Sequence, residues 1–186
     1  MASRIEPLMT VADLDACPDD GNRYELIGGE LFVSRAPRLA HQLVLQHLQM
    51  SLYNYLQEHP VGLLAPGPGA VFSESDAVIP DLVFARKERL DKVVAKGRFI
   101  GPPDLVIEVL SPGNENRERD LTVKRQLYAK YGVEEYWIVD SENRCVLIYR
   151  LQGNVLEEAA KVGVEDQITT PFLPHFHLKV SSIFNF

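Results

Sequence analysis

Pro103-Asp104-Leu105-Val106-Ile107-Glu108-Val109-Leu110 sets one carboxylate inside an otherwise apolar run. A run such as Leu105 to Leu110 is the pattern of a central strand covered on both faces. An ionised Glu108 there is costly unless a cation, a metal or a hydrogen-bond donor meets it. A second carboxylate, Asp81, has a similar setting in Ile79-Pro80-Asp81-Leu82-Val83-Phe84, and Lys124 follows on a helical stretch. If they converge, two carboxylates and a lysine in apolar surroundings make a metal site with a general base.

Outward from this strand, Gly101-Pro102-Pro103 introduces it and Ser111-Pro112-Gly113-Asn114 ends it. Strand alternation points Val106, Glu108 and Leu110 one way and Leu105, Ile107 and Val109 the other. The spacing then predicts a helix over 117–131, stopped at Gly132. On a helical wheel Asp120, Leu121, Lys124, Leu127, Tyr128 and Tyr131 fall within about 120° of one another. Arg119, Arg125, Gln126 and Lys130 take the remaining surface. Lys124 is thus central in the face that packs on the sheet, where a lysine either snorkels out or meets an anion.

Further out, Tyr24 to Val33 reads as a hairpin closed by Gly28-Gly29. The longest helical pattern runs over 39–58, with His41, Val44, Leu45, Leu48, Leu52, Tyr55 and Leu56 on one face. Ala65 to Gly69 breaks the chain, and a short charged helix is expected near 87–96. Tyr136 to Asp140 is a strand that turns at Ser141-Glu142-Asn143 into a second one from Cys145. Phe176, Leu178 and Val180 alternate in a proline-flanked tail that suggests an edge strand or cover. Strands and helices are interspersed, so the class is α/β with a mixed sheet. The 186 residues are expected to form a single domain over 1–186.

Composition narrows the classes. No apolar run approaches the roughly 20 residues of a bilayer span, and Met1 to Glu6 lacks the apolar core of a signal peptide. Two distant cysteines, Cys17 and Cys145, argue against a disulfide framework and fit a reducing cytoplasm. The net charge of −7 speaks against nucleic acid, but residues 86–130 hold 11 Lys and Arg against 7 Asp and Glu. That stretch is either a basic region beside the site or a set of solvated helix faces.

Alone, Glu108 and Lys124 could be a packing ion pair. Asp81 shifts the balance, because two carboxylates crowding one lysine leave excess negative charge inside. A hard divalent cation, Mg²⁺ or Mn²⁺, relieves it, bound by one or two carboxylates with waters and a substrate phosphate. Such a site polarises a phosphodiester and activates water, with Lys124 orienting or deprotonating that water.

Pro80-Asp81 followed by Glu108 at a strand end resembles the PD-(D/E)XK nuclease superfamily, the restriction-endonuclease-like fold. More narrowly, Tyr24 to Glu30, His41, Pro80 to Phe84 and Pro103 to Pro112 resemble the Uma-two family of restriction-endonuclease-like proteins. Lys124, Tyr128, Gly132-Val133, Glu135 to Asp140 and Leu173-Pro174 continue the likeness over nearly the whole chain. The superfamily lysine stands two residues after the glutamate, where this chain has Leu110; the resemblance makes Lys124 its relocated equivalent. It implies a restriction-endonuclease-like core with flanking helices and an N-terminal β-hairpin. It also implies Asp81 and Glu108 as metal ligands with the carbonyl of Val109, DNA as substrate, and a homodimer. The alternative is the same fold kept as a nucleic-acid- or protein-binding module without turnover.

Four further residues are candidates. His41 either lines the site or is a satisfied residue at a helix start. Glu25 is an extra acidic group of the site or a hairpin-surface glutamate. Asp120 and Tyr128, one turn either side of Lys124, either orient it or, for Tyr128, join the core. His175 and His177 share a side by alternation and are a remoter metal pair. Residues 62–69 lack the lysine and hydroxyl of a phosphate-binding loop.

Overall fold

The computed structural model describes residues 8–110 and 117–186; the expected strand end at Ser111 to Asn114 and the first residues lie outside them. The strands in chain order are β1 (Arg23–Ile27), β2 (Glu30–Ser34), β3 (Gly62–Pro66), β4 (Ala70–Ser73), β5 (Asp76–Val78), β6 (Leu82–Arg86) and β7 (Val94–Ala95). They continue as β8 (Arg98–Phe99), β9 (Leu105–Val109), β10 (Glu135–Asp140), β11 (Cys145–Gln152), β12 (Val155–Gly163), β13 (Gln167–Ile168) and β14 (Leu178–Lys179). The helices are α1 (Val11–Asp15), α2 (Leu39–Glu58), α3 (Leu90–Val93), α4 (π-wound over Arg119–Lys124, α-helical over Arg125–Tyr131) and α5 (Val180–Ile183).

Strand β9 is central because its residues are apolar on both faces, and all five are buried. It lies in a six-stranded sheet ordered β12-β11-β10-β9-β6-β3, parallel to β10 and antiparallel to β6. Leu105, Ile107 and Val109 face a core with Trp137, Val139 and the α2 residues Val44, Leu45, Leu48, Leu52 and Leu56. Val106 and Leu110 face the other way, onto Tyr136, Ile138 and the α4 residues Leu127, Tyr128 and Ala129. Glu108 shares their parity and so points at α4. The tail covers the α2 side: Phe176, Leu178 and Val180 are buried there, and β14 pairs with β13 in a separate two-stranded sheet. The class is mixed α/β, as expected.

A second six-stranded sheet, β2-β1-β5-β4-β8-β7, carries the hairpin. Gly28 and Gly29 adopt φ of 60° and 80°, the doubly left-handed turn that joins two right-twisted strands in two residues. The helix expected over 87–96 is shorter than that. A 3-10 turn at Lys87–Arg89 leads into α3, and the chain then turns through Lys96 and Gly97, both at positive φ, into β8. The β-branched pair Val93-Val94 and the glycine turn favour strand over helix there. Strand β12 had no expectation; most of its side chains are exposed, so no clear alternation marks it. Among the described residues no helix is long and apolar enough to cross a membrane, and both cysteines are free.

Asp76 ties the hairpin to α4. It is buried and accepts hydrogen bonds from Gly28 N–H (2.7 Å), Lys130 Nζ (2.9 Å) and the Tyr131 hydroxyl (2.6 Å). Burial pushes its pKa up, but these donors outweigh it and hold the carboxyl below its ordinary range. Asp76→Ala should lower unfolding free energy by about 1–3 kcal/mol, since partners are left unpaired. A depressed folded-state pKa contributes stability above the unfolded value and loses it on acidification. The difference between variant and parent in urea melts should therefore shrink as pH falls below about 4.

Candidate active site

The β6–β9 ladder pairs Leu82 with Ile107, so one step further along Asp81 stands opposite Glu108. The two residues lock to each other through the backbone. Val109 N–H donates to Asp81 Oδ2 at 2.9 Å, and Asp81 N–H donates to Glu108 Oε2 at 3.3 Å. Lys124 reaches Glu108 Oε1 at 2.9 Å and Glu25 Oε1 at 3.0 Å, and is only 3% exposed. Tyr128 donates its hydroxyl to the same Glu108 oxygen at 2.8 Å, so it orients the glutamate. Asp120 Oδ1 is 4.0 Å from Lys124 Nζ, too far for a hydrogen bond.

The hairpin supplies Glu25, buried rather than on its surface, which also accepts Ile79 N–H at 2.9 Å. The first turn of α2 supplies His41, whose Nε2 is 3.0 Å from Asp81 Oδ2. The structure thus brings Asp81, Glu108, Val109, Lys124, Glu25, His41, Asp120 and Tyr128 together. All but Tyr128 line one cleft of about 330 Å³. His175 and His177 stay outside it and are exposed; His175 holds φ of 64°, a glycine-like conformation.

Sequence reasoning missed the rim. Arg23, Arg35, Arg38 and Arg119 line the same cleft. Arg23 is two residues before Glu25 on one strand, so strand alternation was a usable signal. Arg35 and Arg38 flank Ala36-Pro37 in the link between β2 and α2 and carried none. Arg119, placed by the wheel on the outer surface, is 13% exposed. The wheel assumed α-helical spacing, whereas Arg119–Lys124 is π-wound, which changes the angular register and often marks functional positions. Tyr136 donates to the Asp120 carbonyl within that wide turn.

Four of the 11 basic residues over 86–130 pair with carboxylates away from the cleft. Arg86 and Arg89 bind buried Asp104 at the far end of β9, Arg117 binds Asp140 and Lys130 binds Asp76. Of the Lys and Arg in that stretch, Arg119 and Lys124 line the cleft.

Burial pushes Glu108 up to about 8; Lys124 opposes this, while Asp81, Asp120 and Glu25 add to it. Asp120 is raised by burial too, against Lys124 and Arg119. For Asp81 burial is outweighed by His41, Val109 N–H and Lys124, which hold it below the ordinary range. Lys124 is raised despite burial because Glu108, Glu25 and Asp120 surround it. Of the four carboxylates, Glu25 and Glu108 share Lys124, Asp81 meets Arg23 and His41, and Asp120 lies 3.7 Å from Arg119. Asp81 and Glu108 adjoin on neighbouring strands, and Glu108 Oε2 has only the long contact from Asp81 N–H among the described residues. That donor set fits a hard divalent ion completed by water. Among the described residues, no group of three or more His, Cys, Asp or Glu side chains is placed to hold a metal ion, so Asp81 and Glu108 would need a backbone carbonyl and waters beside them.

Adjacent antiparallel strands presenting Asp81 and Glu108, with the following helix presenting Lys124, belong to a fold of the restriction-endonuclease-like nuclease class. Residues 11–181 match the Uma2 family, described as "Putative restriction endonuclease", and the chain belongs to that family. In fold it is similar to a crystal structure described as "a putative nuclease belonging to DUF820" from Anabaena variabilis. The TM-score is 0.78 at 19% identity, over 95% of this chain and 97% of that one. A likeness to the type IIG restriction endonuclease BpuSI has TM-score 0.45 and 14% identity, over 77% of this chain and 15% of that one. No curated protein matches the sequence.

Removing the lysine tests the charge balance. Lys124→Met should cost about 3–5 kcal/mol where its carboxylates are ionised. The cost should be smaller below about pH 8, where Glu108 escapes by taking a proton. Adding Glu108→Gln to Lys124→Met should restore stability above about pH 8. Urea melts across pH check both; a loss that does not vary with pH contradicts the balance.

Proposed function

We propose that this chain, as one domain over residues 1–186, hydrolyses phosphodiester bonds of DNA with Asp81, Glu108 and Lys124, assisted by Mg²⁺ or Mn²⁺. The observation that carries this is the Asp81–Glu108 backbone interlock beside buried Lys124, opening into an arginine-rimmed cleft. Asp81 and Glu108, with the Val109 carbonyl, would hold the ion, which when bound supplies Lewis-acid polarisation of a phosphoryl oxygen and lowers the pKa of the attacking water.

The remaining work falls to the chain. Water oxygen forms a bond to phosphorus as the bond from phosphorus to the leaving sugar oxygen breaks. One proton passes from the attacking water to solvent, and one reaches the leaving oxygen from solvent. Lys124, held protonated by three carboxylates, acts as a fixed cation against developing negative charge and not as a base. Glu25 and Tyr128 hold Lys124 and Glu108 in place. Arg23, Arg35 and Arg38 at the rim attract the polyanion, so binding should weaken steeply with salt. A binding module without turnover is supported by one observation, that Lys124 already meets part of the site's demand for a cation. Calorimetric Mn²⁺ titration separates the readings: no metal uptake with DNA still retarded on a gel favours the module.

Incubation with plasmid DNA and Mn²⁺ should give cleavage that Asp81→Asn and Glu108→Gln reduce by more than about 100-fold. Inactivity of the parent, or a Glu108→Gln variant as active as the parent, would falsify the proposal. Proton and metal compete for Glu108, so Mn²⁺ affinity should rise with pH up to about 8. A flat profile would remove Glu108 from the ligand set.

A further inference from the structure

Most charged groups of the cleft have a partner. Arg23 NH1 meets Asp81 Oδ1 at 3.2 Å, His41 meets Asp81, and Lys124 meets Glu25 and Glu108. Arg119 differs. Its Nε is buried and has no hydrogen-bond partner among the described residues. The Asp120 Oδ1 atom is 3.7 Å away, beyond hydrogen-bond reach. The guanidinium lies 6.0 Å from the Phe32 ring centroid, a face that backs it. Native proteins leave few buried donors unpaired, and each such donor calls for an explanation. A second donor points to the same ligand: an ammonium carries three protons, and Glu25 and Glu108 engage only two of those on Lys124.

Resting on the nuclease reading, we propose that Arg119 anchors an anion subsite that takes the non-bridging oxygens of the scissile phosphodiester beside Lys124. Two such oxygens diverge from one phosphorus, so one phosphate serves both the guanidinium and the third ammonium proton. A guanidinium also presents its donors as a planar fork suited to phosphate oxygens. Neighbouring Asp120 cannot fill that role without moving, because it lies beyond bonding distance. The π-wound start of α4 is what turns Arg119 inward, so the subsite is a consequence of the same irregular turn that carries Lys124.

Inorganic phosphate is the probe, used with metal-free protein so that no cleavage intervenes. Phosphate should raise the melting temperature of the parent, and ³¹P line broadening should saturate. Arg119→Ala should weaken phosphate binding by about tenfold or more, and Arg119→Lys by less. Without phosphate, Arg119→Ala should melt only slightly lower than the parent, since it gives up the Phe32 face and the approach to Asp120 but no hydrogen bond from Nε to the described residues; an arginine with a chiefly packing role would lower it clearly. In single-turnover cleavage of a short DNA with Mn²⁺, Arg119→Ala should be slower by about 10²–10³-fold. Its affinity for the same DNA should change less than the rate. Phosphate binding unchanged in Arg119→Ala overturns the subsite, as does a clearly lowered melting temperature restored in Arg119→Lys without restored phosphate binding. If the parent cleaves no DNA, the nuclease reading fails separately, and the phosphate titration still decides the subsite.

Discussion

The burial of Lys124 among Glu25, Glu108 and Asp120 is the constraint on which the cleft depends. One ammonium at 2.9–3.0 Å from two carboxylates lets strands from both six-stranded sheets bring acidic groups to one place. Without it, Glu25 on β1 and Glu108 on β9 would repel across a low-dielectric gap. The same contact fixes α4 over the sheet end, because Lys124 is the last residue of its π-wound portion. Residues four apart lie near one another on such a turn, which is how Asp120 and Lys124 both reach the floor. The fold holds the cluster, and the lysine holds the fold together at that point.

Strand β9 and the residue before it carry two acidic groups that illustrate opposite uses of charge. Asp104, just before its first residue, accepts the Arg86 N–H, the Arg86 guanidinium and Arg89. Burial raises its pKa, but these donors prevail and it stays below the ordinary range. Glu108, near its last residue, has burial and three carboxylates pushing it up, against one lysine. The first is a satisfied structural anion. The second retains a demand for positive charge, and that difference separates a clamp from a site at the two ends of one short strand.

Much of this was legible in the sequence. A carboxylate within Leu105 to Leu110 announces a partner whatever the fold, and period-two alternation aims Glu108 at the following helix. The α2 pattern over 39–58 matches the helix because every third or fourth residue is apolar. What stayed hidden depended on departures from regular periods or on contacts between distant segments. Arg119 was misplaced because its turn is not α-helical. Arg35 and Arg38 sit on a link with no period, and β12 is too exposed to alternate. The charge excess over 86–130 looked like one patch only along the chain; in space Arg86 and Arg89 close the far end of β9.

The rim also bears on how an acidic chain could attract a polyanion. A net charge of −7 would repel DNA if spread evenly. Arg23, Arg35, Arg38 and Arg119 instead line a single cleft, while acidic groups such as Asp76, Asp104 and Asp140 are neutralised by local cations. Low-dielectric walls focus field lines in such a recess, so the potential met by a phosphate at the mouth follows the rim more than the total. Net charge therefore carries less weight here than the placement of four arginines contributed by β1, the β2–α2 link and α4.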